Sequence, residues 1–150
     1  MKWLAPLFLI STFAIASCGV DCPIDGLNGD YSGADLTGCS LPSLDHANAD
    51  FSGADLSGVN LSSADLLNPD FSGATLAGTD FTSADIDNGD FTGADLENAN
   101  FTIASLNNPD FTNADLTGVT WTGATLNNPD CTGATGADLS GATVNNGIDC

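Results

Sequence analysis

The chain has 150 residues, 20 acidic side chains and a formal net charge of −19 at pH 7, and its single Lys or Arg is Lys2. This length suffices for one domain. Because cationic side chains are almost absent, the composition excludes binding to a nucleic-acid phosphate backbone. It also disfavours reactions that need a cationic clamp on phosphate or on a developing anion.

The N-terminal segment has the layout of a secretory signal peptide, in which Lys2 precedes an apolar run from Trp3 to Ala16 and then small residues up to Cys18. At about 14 residues this run is too short to cross a bilayer. The last four residues of the segment, Ile-Ala-Ser-Cys, resemble the lipobox of bacterial lipoproteins. The resemblance implies a signal peptide over 1–17 and lipid modification of Cys18. Ordinary cleavage after Ala16 and free secretion is the alternative.

A five-residue repeat dominates the remainder of the chain. From Gly29 to Gly133 it divides into consecutive units without an insertion, and the consensus unit is Ala, then Asp or Asn, then Leu or Phe, then two small polar residues. A fixed period outranks local propensities. The pattern resembles the A(D/N)LXX motif of the pentapeptide-repeat family. The resemblance implies an all-β fold, a right-handed quadrilateral β-helix in which four units form one square coil and each central residue faces inward.

The central residues support the four-unit coil independently, because they recur every fourth unit as four columns. Within a column, similar side chains would stack from one coil to the next. This stacking predicts a continuous apolar core that fills a narrow interior and leaves no ligand cavity. The columns are Tyr31, Phe51, Phe71, Phe91, Phe111 and Cys131; Leu36, Leu56, Leu76, Leu96 and Leu116; Leu41, Leu61, Phe81, Phe101 and Trp121; and His46, Leu66, Ile86, Leu106 and Leu126.

The repeat also predicts the organisation of the chain. Its period breaks at 134–136 and two further units follow, so about six coils are expected over 29–146. An anchor and N-terminal cap over 18–28 would precede them, and a cap tail over 147–150 would cover a sheet edge. Uncapped coil ends could pair two rods in a homodimer. Asn recurs at the corner after the fourth face, where stacked amides can bond from coil to coil: Asn48, Asn68, Asn88, Asn108 and Asn128.

Four cysteines follow Cys18, and an exported chain favours disulfides over metal ligation. Three connectivities are possible. We favour Cys22 with Cys39 and Cys131 with Cys150, because each pair then lies at one end of the repeat array.

The outward positions predict a rod that is acidic on three of its four sides. Carboxylates stacked about 4.8 Å apart repel by roughly 1 kcal/mol per pair in water, and cations would relieve this. A divalent ion such as Ca²⁺ is the specific hypothesis, with Asp85, Asp87 and Asp90 as the densest candidate site, although this cluster lacks the Gly and Glu spacing of an EF-hand loop. The alternative is a solvated acidic surface with no cofactor.

The third face is neutral apart from Asp80 and is rich in hydroxyl and amide groups. Such an array could dock a partner protein, a glycan or ice, and its interrupted Thr columns weigh against ice. The candidate interaction residues are Asn60, Ser62, Thr82, Asn100, Thr102, Thr120 and Thr122.

These features predict a protein that is not an enzyme, because the only His, His46, occupies an inward position and cannot activate a nucleophile. The leading hypothesis is an exported, lipid-anchored structural or protein-interaction module of the cell envelope. Its protein partner is unknown, and it meets the membrane only through the anchor. The alternatives are a Ca²⁺-binding acidic surface protein, a glycan or ice binder and, if the signal peptide is retained, a DNA mimic that binds gyrase, as cytoplasmic members of the family do.

Overall fold

A computed structural model describes Cys22, residues 29–146 and Cys150. The predicted signal peptide, the predicted lipidation site Cys18 and most of both predicted caps lie outside the described residues. Within the described part all regular elements are β-strands and bridges. Accordingly, no helix in that part is long and apolar enough to cross a membrane.

Six short strands form one parallel sheet on the fourth face, in chain order. Neighbouring strands pair one coil apart, so that Asp45 lies opposite Asp65 and His46 lies opposite Leu66. The central residue of each strand points into the rod. The strands are β1 (Asp45–Ala47), β2 (Asp65–Leu67), β3 (Asp85–Asp87), β4 (Ser105–Asn107), β5 (Thr125–Asn127) and β6 (Thr143–Asn145).

The other three faces carry isolated parallel bridges and tight turns. The backbone N–H of Ala54, for example, donates to the carbonyl of Phe51 at 3.0 Å, and the third residue of that turn, Gly53, has a φ of 63°. A type II turn requires this conformation, which Gly and Asn adopt most readily. At the fourth corner three coils place Pro at the donor position, where it has no N–H to close such a turn: Pro69, Pro109 and Pro129.

On the third face four turns depart from this rule, with Ser in three of them and Ile in the fourth. Ile103 occupies the third position of its turn with a φ of 53°, and its side chain is 59% exposed. The left-handed conformation costs a β-branched residue about 1–2 kcal/mol. The equivalent positions of the other coils hold smaller residues, namely Ser43, Ser63, Ser83 and Gly123.

Stacked side chains fill the interior, as the four columns predict. Ring centroids along the first column are 5.0 to 5.2 Å apart, and those along the third are 4.7 and 4.8 Å apart. The two aromatic columns meet edge to face, which suits the ring quadrupoles. Each buried Phe or Leu contributes about 1.5–3 kcal/mol, so the core is the main source of stability.

The predicted count of about six coils corresponds to about five full turns and a shortened sixth. The sixth coil resumes pairing after the predicted break at 134–136, where Leu126 lies opposite Val144. Gly136 permits the shortcut. Its φ is 66°, and a Cβ there would lie 2.7 Å from the backbone of Thr117, so a larger residue does not fit.

Candidate functional site

The Asp columns of the first and second faces are part of the backbone hydrogen-bonding scheme. On the first face each Asp accepts a hydrogen bond from the backbone N–H two residues further on, at 2.8 to 3.1 Å. The second face repeats the arrangement, for example from Ser57 N–H to Asp55 at 3.0 Å. These are Asx turns, in which the carboxylate mimics a backbone carbonyl. At these positions Asp therefore closes a turn in addition to supplying charge.

Hydroxyl donors strengthen the same turns and affect the acidity of four carboxyl groups. The hydroxyl of Thr37 donates to Asp35 at 2.7 Å, and the backbone N–H of Thr37 donates at 3.0 Å. These two bonds, the hydroxyl first, hold the pKa of Asp35 below its ordinary value. The pKa values of three further carboxyls are lowered in the same way, by the hydroxyl and then the N–H of the residue two further on: Asp30, Asp115 and Asp130.

The acidic column of the fourth face is different, because the chain is extended there. Asp45, Asp65 and Asp85 lie in register on neighbouring strands. Asp87, on the same strand as Asp85, accepts a hydrogen bond from the side-chain amide of Asn107 at 2.5 Å. Asp90 lies around the corner and accepts from the backbone N–H of Thr92.

The sequence-based metal candidate is therefore divided between two faces. Asp85 and Asp87 flank the inward Ile86 on β3, whereas Asp90 belongs to the first face. Within the described residues no group of three or more His, Cys, Asp or Glu side chains is placed to hold a metal ion. The structure does not bring Asp85, Asp87 and Asp90 together as a ligand set.

The hydroxyl and amide groups of the third face bond mainly to one another. Asn100 donates to Thr82 at 2.9 Å and to Asp80 at 3.2 Å, and it accepts from the hydroxyl of Thr102 at 2.6 Å. Asn60 likewise accepts from the backbone N–H of Ser62. Thr120 and Thr122 at the C-terminal end of the face are exposed. All seven candidate interaction residues thus lie on one face, but several already have partners within the chain.

His46 is a core residue. It is 6% exposed, its Nδ1 lies 2.7 Å from the carbonyl oxygen of Asp45, and its Nε2 lies 3.4 Å from the hydroxyl of Tyr31. Both ring nitrogens are thereby engaged inside the first coil. This geometry aims neither nitrogen at an outward nucleophile.

Both ends of the array carry a disulfide, paired as the sequence favours. Cys22 is bonded to Cys39 with a Cα–Cα distance of 5.8 Å, and Cys131 is bonded to Cys150 with a Cα–Cα distance of 4.6 Å. The second distance is close to the spacing of neighbouring β-strands. Cys150 therefore lies about one strand spacing from Cys131 at the C-terminal end of the array.

The model of the family described as pentapeptide repeats matches the chain in 8 copies, over residues 32–68, 70–102 and 104–146. The chain belongs to the pentapeptide-repeat family. No curated protein matches it.

Solved pentapeptide-repeat structures resemble the chain. HetL from Nostoc sp. strain PCC 7120, involved in heterocyst differentiation regulation, is 27% identical over 77% of this chain and 68% of its own, with a TM-score of 0.40. A thylakoid-lumen protein from Arabidopsis thaliana is 34% identical over 62% of this chain and 65% of its own, with a TM-score of 0.34. Full-length QnrB1, a plasmid-mediated fluoroquinolone resistance protein, is 20% identical over 80% and 81%, with a TM-score of 0.40.

One surface of this pentapeptide-repeat rod escaped the sequence reasoning. Residues 99–108 and 119–128 stack on each other and contain no Asp, Glu, Lys or Arg. Their outward side chains cover the third and fourth faces around the corner at Ile103, and we call them the neutral patch. Two uncharged segments 20 residues apart in the sequence could have indicated the patch. Considering one face at a time hides it, because it spans the third and fourth faces. Its fourth-face members are Ser105, Asn107, Thr125 and Asn127.

Proposed function

We propose that this pentapeptide-repeat protein is an exported, lipid-anchored, non-enzymatic rod that serves as a structural or protein-interaction module of the cell envelope. One observation carries the proposal: stacked side chains fill the interior, so the chemistry of the rod lies on its outer faces. Those faces present regular rows of carboxylates, hydroxyls and amides over the whole length of the solenoid. Regular outer surfaces of this kind are what solenoid proteins use to bind other macromolecules.

The titratable groups support a role without catalysis or a cofactor. His46 is engaged inside the first coil, and the carboxylates of the first and second faces accept backbone hydrogen bonds within their own turns. No calcium site is part of the proposal, because the candidate carboxylates are divided between two faces. The proposed partner is a protein, and the rod contacts the membrane only through the lipid on Cys18.

The proposed localisation in the cell envelope rests on two features of the chain. The first is the signal-peptide pattern that ends at Cys18. The second is the pair of disulfides at the ends of the array, since disulfides persist in oxidising compartments outside the cytosol. Lipid modification of Cys18 also leaves an even number of cysteines, all of which are paired.

The intact mass of the protein from its native host tests this proposal. We expect a chain that begins at Cys18 and carries added acyl mass. Alkylation before reduction should modify no cysteine, and alkylation after reduction should modify four. A Cys18→Ser variant should lose the acyl mass and leave the membrane fraction, while a Ser17→Ala variant, which keeps the cysteine, should behave as the wild type. A chain that starts at Met1 with free thiols would overturn the proposed localisation and favour the alternative function as a cytoplasmic DNA mimic.

A further inference from the structure

Ile103 is poorly suited to its position by every local criterion. It takes a left-handed φ of 53° that its β-branched side chain disfavours, and 59% of it faces solvent. Ser, Asn or Gly would fit the same turn, as they do at the equivalent positions of other turns. Residues held in a disfavoured conformation cluster at functional sites. The fold does not require an isoleucine at position 103. We therefore look for its role in a contact with another molecule.

The surroundings of Ile103 hold its backbone in place and leave room for its side chain. Its backbone N–H donates to the carbonyl of Thr122 in the next coil at 2.9 Å. A Cβ at Gly123 would lie 3.0 Å from the Cγ2 methyl of Ile103, so the glycine of that coil leaves room for the isoleucine. The backbone therefore fixes the point from which the side chain projects, which lowers the entropy cost of burying it against a partner.

The neutral patch around Ile103 has the layout of a protein interface. An apolar side chain lies at its corner, and uncharged hydroxyl and amide groups surround it on both faces. Interfaces are depleted of charged residues at their centre and carry polar groups at their rim, and a few central side chains dominate the binding energy. Leu67, the other large exposed apolar side chain of the described residues, lies on the acidic N-terminal half of the fourth face.

Charge identifies the kind of partner. Carboxylates border the neutral patch in the coils before and after it, at Asp80, Asp87 and Asp138. The only cationic side chain of the chain is Lys2, so a second copy would bring carboxylates against carboxylates. A partner with a positive rim meets complementary charge instead.

We propose that the neutral patch centred on Ile103 is a docking surface for a protein whose contact site combines an apolar recess with a rim of Lys and Arg. The inference rests on the proposed function and names the surface and the partner chemistry through which it acts. Ile103 enters the recess, and the bordering carboxylates meet the basic rim.

Photo-crosslinking in the native host identifies the partner. A benzophenone amino acid replaces Thr122 in the neutral patch in one variant and Thr37 on the acidic second face in another. We expect the probe at 122 to give one discrete adduct, and mass spectrometry of that adduct names the protein. Adducts only from position 37 would overturn the docking surface and leave the proposed interaction function standing. No adduct at either position would count against both, and an adduct with a second copy of the chain would overturn the basic partner.

Titration of the purified partner then tests the role of Ile103. Ile103→Asn keeps a residue that tolerates the left-handed turn, so this variant should fold, and we expect its binding to be about tenfold weaker or worse. Leu67→Asn is the matched control, because it also removes an exposed apolar side chain but lies outside the patch, and its binding should stay within about twofold of the wild type. Wild-type affinity should fall as salt rises. Equal losses in both variants, or salt-independent binding, would contradict the proposal.

Discussion

Each Asp in the second position of the repeat on the first and second faces has two roles that oppose each other. Its carboxylate closes an Asx turn, as Asp55 does with the N–H of Ser57, and that bond favours the folded chain. The same carboxylate stacks near others in neighbouring coils, which adds repulsion between like charges. Asn satisfies the turn without the charge, as at Asn60 and Asn100. The choice between Asp and Asn therefore sets the charge of a face without changing its fold.

Removal of one hydroxyl should raise the pKa of a neighbouring carboxyl. Thr37→Val deletes the largest cause of the lowered pKa of Asp35 and keeps the backbone N–H donor, so this pKa should move up towards its ordinary value of 3.8. Because the folded pKa is below the unfolded one, this carboxylate stabilises the fold above pH 3.8. That contribution is lost as the pH falls through the lowered value.

A titration followed by the ¹³C resonances of the Asp carboxyls measures this shift. Asp115 with Thr117 has the same turn on the same face and serves as the control within each sample. Its pKa should be the same in the wild type and in the variant. An unchanged Asp35 pKa in Thr37→Val would show that the hydroxyl is not the main cause.

At the scale of the element, the period of the sequence predicts four equivalent faces, and the structure has three faces of turns and one of strands. The inward columns were predictable because burial depends only on the period. The difference between the faces was not, because the fourth face is extended in every coil, including those in which Ala49 and Gly89 stand at the Pro position. Pro69, Pro109 and Pro129 mark only three of the six strands, and they also suit an ordinary corner. The sequence shows an isoleucine at position 103 among smaller residues, but only its φ shows that the turn is strained.

The predicted coil-to-coil bonding of the corner asparagines is confirmed. Asn68 donates to Asn48, Asn88 to Asn68, Asn108 to Asn88 and Asn128 to Asn108, at 2.9 to 3.0 Å. All five residues have positive φ. The ladder therefore connects consecutive coils on the outside of the rod, as the aromatic stacks do on the inside.

The ladder should contribute measurably to stability at its inner positions. Asn88→Gly keeps a residue that accepts positive φ and removes two ladder bonds, whereas Asn48→Gly removes the one bond that the described residues give it. Both variants share the entropy cost of Gly, about 0.5–1 kcal/mol. The difference between their free energies of unfolding in urea should therefore isolate one ladder bond, at about 0.5–1.5 kcal/mol. Equal losses in the two variants would show that the ladder adds nothing beyond the turn conformation.

At the scale of the whole molecule, each coil contacts only the coils before and after it, and the same stacking that builds the core also stacks the charge. Hydrophobic columns and backbone ladders favour adding coils, while the carboxylate columns oppose it. The two disulfides act at the ends, where a coil has one neighbour in place of two. Closing loops of 17 and 19 residues stabilises the chain by roughly 3 kcal/mol each on the chain-entropy model.

Salt should stabilise the rod, because folding concentrates a net charge of −19 that almost no cation offsets. Between about 0.01 and 0.5 M NaCl the screening length falls from about 30 Å to a few ångströms. The free energy of unfolding should rise by at least about 1 kcal/mol, or roughly 3–6 °C in melting temperature. The double variant Asp65→Asn and Asp85→Asn should melt higher at low salt and respond less to NaCl.

CaCl₂ at matched ionic strength should act as NaCl does. A saturable extra rise with calcium that the change of Asp85, Asp87 and Asp90 to Asn abolishes would instead establish the metal site considered from the sequence.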